Sequence, residues 1–160
     1  MRIRVLLCAV LAVIVLGTGM RYAGDRLVLL NGLCIEPDTG LAAQTLTAYV
    51  DRQARPCVVV KYHPDSIEAL PPPAVYWLFA HEAGHIALDH GRIPFDVGSA
   101  EFNLMRRAQE MEADCYAGKM LGPGIKEDVV AWMRDRADQE LKPFYPTWQE
   151  RAALTLACAG

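Results

Sequence analysis

The segment His81-Glu82-Ala83-Gly84-His85 carries the side chains best suited to chemistry. On a helix, residues four apart share a face, so His81 and His85 can grip one ion, and zinc is the ion that suits such a pair. Glu82, directly after the first imidazole, is placed to take a proton from a water held by that metal. The chain has 4 histidines, and three of them lie between positions 81 and 90. The residues around the motif, Phe79, Ala80, Ile86, Ala87 and Leu88, are apolar. They suit a buried helix. The spacing predicts that helix over Ala74 to His90: Pro73 fits a first turn, Val75, Leu78, Phe79 and Ile86 form an apolar face, and Gly91 offers a stop.

Two imidazoles leave a zinc ion short of a protein ligand. A third histidine six residues after His85 would fall at position 91, which is Gly91. A glutamate from a later helix is the other solution, and Glu110 supplies it. Glu110, Ala113, Asp114 and Ala117 share one helical face, and the two alanines permit close approach to the His81–His85 helix. Asp114 is placed to accept the N–H of a ligating histidine and fix its tautomer. His90 reads as a support to the ligands or as a surface residue. Glu112 lies on the opposite side of its helix and reads as a solvated charge.

His81-Glu82-Ala83-Gly84-His85 with a histidine five further on at His90, followed by Glu110-x-x-Ala113-Asp114, resembles the gluzincin-type zinc peptidases of the HtpX and CAAX-prenyl-endopeptidase group. Tyr145-Pro146-Thr147-Trp148-Gln149-Glu150-Arg151 is more loosely similar to that group's His-Pro-x-x-x-x-Arg element, with Tyr145 in place of the histidine. The resemblance spans roughly residues 74 to 155. It implies a compact zincin-like domain with endopeptidase activity, one zinc per chain, and His81, His85 and Glu110 as its ligands. Glu82 would be the general base. Tyr145 is either a donor to the developing oxyanion or a tyrosine packed beside Pro146.

Met1-Arg2-Ile3-Arg4 carries two positive charges, and an unbroken apolar run follows from Val5 to Gly17. That length matches the apolar region of a signal peptide and is short for a membrane span. Residues 1–19 are expected to be a leader cleaved after Gly19 or an anchor that holds the chain at a membrane. Residues 20–160 would form a single domain in the periplasm or outside the cell. Four cysteines beyond the run, Cys34, Cys57, Cys115 and Cys158, suit an oxidising compartment. The expected pairs are Cys34–Cys57, flanking the amino-terminal part, and Cys115–Cys158, tying the last helix to the Glu110 helix. The net charge of −3 and the lack of a basic stripe argue against a nucleic-acid partner.

The expected fold is α+β and mostly helical, with a short β element before the His81 helix. Asp25 to Glu36 reads as a strand or a short buried segment. Leu41 to Arg55 reads as an amphipathic helix, through Ala42, Leu46, Tyr49, Val50 and Gln53. Val58 to Tyr62 is β-branched and reads as a strand; at a sheet edge it would take an extended substrate by main-chain pairing. His63 reads as a surface turn residue. Ser99 caps a helix running to about Leu121, Gly122-Pro123-Gly124 breaks it, and a further helix covers Lys126 to Leu141. Thr147-x-x-Glu150 is a capping box for a last helix, Trp148 to Ala157.

The partner implied is a peptide or protein substrate. A different class is a catalytically silent, zinc-stabilised module that binds envelope partners, and a third is metal-dependent hydrolysis of a non-peptide substrate. Glu82 discriminates the first two, because a binding module has no use for an acid at that position.

Overall fold

The computed structural model describes residues 20–23, 26–29, 33–38, 48–51, 58–91 and 93–158. It is a mixed α+β chain with two compact units, one running to Glu82 and the other starting at Ala83. The expected leader, Cys57, and most of the helix expected over 41–55 lie outside the described residues.

The first unit holds a five-stranded sheet of β1 (Met20–Ala23), β2 (Arg26–Leu29), β3 (Leu33–Pro37), β4 (Ala48–Asp51) and β5 (Val58–Tyr62). The strand order is β1-β2-β3-β5-β4. All pairs are antiparallel except β3 with β5, which runs parallel from Leu33↔Val58 to Pro37↔Tyr62. A bond from Asp38 N–H to the Tyr62 carbonyl, 2.8 Å, continues that ladder. Val59 and Val60 point to opposite faces and both are buried, as are Cys34 and Ile35 on β3, so the sheet is covered on both sides at its centre. Lys61 Nζ meets Asp51 Oδ2 at 3.1 Å across the β4–β5 pair.

Two expectations are corrected here. Ala48–Asp51 is a strand, where a helix was expected over Leu41 to Arg55. The helical spacing of apolar residues there is outweighed by pairing of Tyr49 and Val50 with β5, because β formation is decided by neighbours more than by local pattern. In addition, β5 lies between β3 and β4. Both its edges are taken, so it cannot receive a substrate strand.

Among the described residues five helices follow: α1 (Pro64–Glu68), α2 (Pro72–Ala87), α3 (Ala100–Met120), α4 (Pro123–Arg134) and α5 (Trp148–Ala157). His63, expected as a bland turn residue, caps α1 by accepting the Ser66 N–H at 3.4 Å. Helix α2 buries Ala74, Val75, Trp77, Phe79 and Ala80, and Phe79 packs edge-on against Tyr62 of β5 at 5.8 Å. It stops three residues before the expected end at His90. Asp89 takes the left-handed conformation, φ 52°, while its N–H bonds Ile86 O and the His90 N–H bonds His85 O. These are the two bonds of a Schellman stop, formed here with an aspartate where Gly91 was expected to end the helix.

In the second unit Ser99 Oγ accepts the Phe102 N–H at 3.1 Å and opens α3. The buried residues of α3 are Glu110, Ala113, Asp114, Ala117 and Gly118. Helix α4 starts earlier than expected, with Gly122 as its cap and Pro123 in its first turn, and it ends at Arg134 where Leu141 was expected. Met133 is its last buried residue; Asp135, Asp138, Gln139 and Glu140 beyond it are all exposed, and Arg136 folds back over the Trp132 ring at 4.3 Å. Helix α5 opens with the expected capping box, Thr147 and Glu150 each bonding the other's backbone N–H. It crosses α3 closely: a Cβ added at Gly118 would lie 2.6 Å from the Thr155 carbonyl oxygen. A Cys115–Cys158 disulfide joins the same two helices. Cys34 is also disulfide-bonded.

Candidate metal centre

Helix α2 carries His81 and His85 on consecutive turns, and Trp77, one turn earlier, lays its ring 5.3 Å from that of His81. Glu110 projects from the buried face of α3. His81, His85 and Glu110 each offer a ligand atom, and these atoms all lie within 4.8 Å of one another. All three residues are buried, at 4%, 6% and 1% exposure, which removes competing water from the donors. Glu82 is buried too. Gly84 lets the backbones of α2 and α3 come close, since a Cβ there would stand 3.0 Å from Tyr116 Cβ and 3.1 Å from Ala113 Cα.

The His85 ring is oriented from both ends. Its Nε2 lies 3.5 Å from Glu110 Oε1, and its Nδ1 lies 2.8 Å from His90 Nδ1. The other nitrogen of His90, Nε2, is 2.8 Å from Glu112 Oε2. Burial lowers the His90 pKa, against the opposing pull of its hydrogen bond to Glu112. His90 is therefore the neighbour of one member of the convergent group, His85. Glu112, expected to be merely solvated, is exposed but holds His90.

Asp114, expected to support a ligating histidine, is fully buried, and its two oxygens also engage Arg151 of α5, with Nε to Oδ2 at 2.8 Å and Nη2 to Oδ1 at 3.1 Å. Arg151 also reaches Glu110 Oε2 at 3.4 Å, and Arg106, one turn before Glu110, places Nη2 2.7 Å from Oε1. Burial acts to lower the Arg151 pKa, but the charges of Asp114 and Glu110 outweigh it and the pKa is raised. Arg106 has no counterpart among the sequence-predicted site residues, although its position four residues before Glu110 is the ordinary signal for a helical ion pair.

Tyr145 lies against Phe144, ring centroids 4.8 Å apart, with the Arg151 guanidinium 5.8 Å from its own ring. Its carbonyl accepts from Arg107 Nη1 at 2.8 Å. Burial, and then the negative charge of Glu110, raise its pKa against Arg106 and Arg151, so the hydroxyl keeps its proton at neutral pH.

The donor set answers whether a metal fits. Two imidazoles and one carboxylate are the protein ligands of a catalytic zinc site that keeps one position open. Their convergence in a buried setting meets that requirement, so the group can hold a metal ion. No protein-family model, curated protein sequence or solved structure matches this chain.

Proposed function

We propose that the chain is a zinc-dependent endopeptidase of the gluzincin type, built like the HtpX and CAAX-prenyl-endopeptidase group that its motifs resemble. The observation that carries this reading is the buried convergence of His81, His85 and Glu110, with Glu82 next to His81 on the helix that carries both imidazoles. When bound, zinc supplies Lewis acidity to the attacking water and the scissile carbonyl. Glu82 accepts the proton of that water and delivers it to the leaving amine. Tyr145, with its hydroxyl protonated beside the charge of Glu110, suits a donor to the developing oxyanion. The Cys115–Cys158 bridge suits an exported chain acting on proteins of an oxidising compartment.

The test is zinc content and cleavage of unfolded casein, for the purified chain and for Glu82→Gln. The expected result is equal zinc in both proteins, with cleavage lost on the order of 10²-fold or more in the variant. Equal zinc with cleavage by neither identifies the silent binding module instead. Absence of zinc from the wild type refutes the ligand set.

A further inference from the structure

We propose that His90 and Glu112 are positioning residues for the metal ligand His85, an inference that rests on the ligand assignment above. The three side chains form one hydrogen-bonded line, His85 Nδ1 to His90 Nδ1 at 2.8 Å and His90 Nε2 to Glu112 Oε2 at 2.8 Å. Donor and acceptor roles along it follow from the carboxylate end. An ionised Glu112 only accepts, so His90 Nε2 carries the proton. The Nδ1 of a neutral His90 then accepts, and His85 Nδ1 must donate to it. That leaves the lone pair of His85 on Nε2, the nitrogen that faces Glu110 Oε1 at 3.5 Å. One surface carboxylate thus selects the tautomer that a metal ligand needs, two side chains away.

The backbone places the middle member of the line. Asp89 in the left-handed region reverses the chain after α2, and the His90 N–H bonds the His85 carbonyl at 3.0 Å. Ligand and support are therefore locked to each other by main chain and by side chain. The His90 ring is 6% exposed, while the Glu112 side chain is 64% exposed. An isolated pair of this kind near a surface would contribute little to stability. Its effect belongs instead to the metal, because the partners that orient ligating imidazoles typically hold 10- to 100-fold of the affinity.

The exposure of Glu112 makes the idea testable without disturbing the core. Zinc affinity of the full chain is measured by competition with a chromophoric chelator, and the visible spectrum of the cobalt-loaded protein reports ligand geometry. Wild type, Glu112→Ala, Glu112→Gln, His90→Phe and the His90→Phe/Glu112→Ala double variant are compared. Glu112→Ala is expected to weaken zinc binding about 10-fold and to shift the cobalt bands, and Glu112→Gln, which keeps an accepting oxygen, to recover most of the loss. The double variant is expected to bind no more weakly than His90→Phe alone, because Glu112 acts only through His90. Should His90→Phe fail to fold, the two Glu112 variants decide by themselves. Wild-type affinity and spectrum in Glu112→Ala overturn the positioning role and leave the ligand set standing. A wild type that binds neither metal overturns the ligand set, and the positioning role with it.

Discussion

Gly118→Ala tests how tightly α5 is seated on the helix that supplies Glu110. An added Cβ would meet the Thr155 backbone, with O at 2.6 Å, Cα at 3.1 Å and C at 3.2 Å. The oxygen falls roughly 0.9 Å short of an ordinary ~3.5 Å contact. No side chain can swing aside, since all three atoms are backbone. Overpacking of this kind costs about 1–3 kcal/mol, whereas alanine in a helix interior returns about 1 kcal/mol relative to glycine. The disulfide sets the balance. Cys115 stands one turn before Gly118, Cys158 one turn after Thr155, and their Cα atoms are 5.1 Å apart, so the helices cannot separate at that point. With the helices held together the overpacking cost sits at about 2–3 kcal/mol, so the net loss should be about 1–2 kcal/mol, a fall in melting temperature of roughly 2–8 °C for a chain of this size. Calorimetry of the oxidised protein reads it directly, and in a Cys115→Ser/Cys158→Ser background the penalty should shrink as the helices relax. A Gly118→Ala variant that melts at or above wild type would show the propensity gain acting alone and refute the contact.

Glu150 predicts a pH effect. Two bonds of 2.6 Å from Arg107 and the cap at Thr147 hold its carboxyl well below the usual glutamate range, at about 2. A depressed folded value stabilises above the unfolded pKa of ~4.3 and is lost as pH falls from there towards about 2. The stability gap between wild type and Glu150→Gln should therefore close over that window and narrow with salt, as befits a side chain 45% exposed; urea melts that show a gap independent of pH would refute it. Removing the Cys115–Cys158 bridge, which spans a sequence separation of 43, should lower stability by about 2–4 kcal/mol in denaturant titration. A loss below about 1 kcal/mol would show that the unfolded chain gains little freedom there.

What could be read from the sequence was what is encoded locally. The spacing of Glu110, Ala113, Asp114 and Ala117 marks the buried face of α3, and Ser99 and the Thr147–Glu150 box mark helix starts, because each involves residues within two turns. The β-branched run Val58–Tyr62 likewise declares a strand. Its position in the sheet does not follow, since the neighbours β3 and β4 are chosen by chain closure over distance. Ala48–Asp51 is ambiguous in sequence because Tyr49 and Val50 satisfy a helical stripe and a strand equally well, and only pairing with β5 decides. The His90–Glu112 bond joins residues 22 apart across two helices. Its only local hint is the left-handed turn at Asp89, which an aspartate adopts less often than a glycine.

The turn-rich stretch between α4 and α5, with Asp138, Gln139 and Glu140 all exposed, is where a foreign protease would cut this chain. A single cut there divides the polypeptide between Cys115 and Cys158, yet the bridge keeps both pieces in one covalent molecule. The severed α5 stays at high effective concentration beside α3, so Arg151 re-docks on Asp114 by an intramolecular event. Under oxidising conditions the nicked protein keeps its Arg151 support. Once reduced, it can lose α5 by dilution alone.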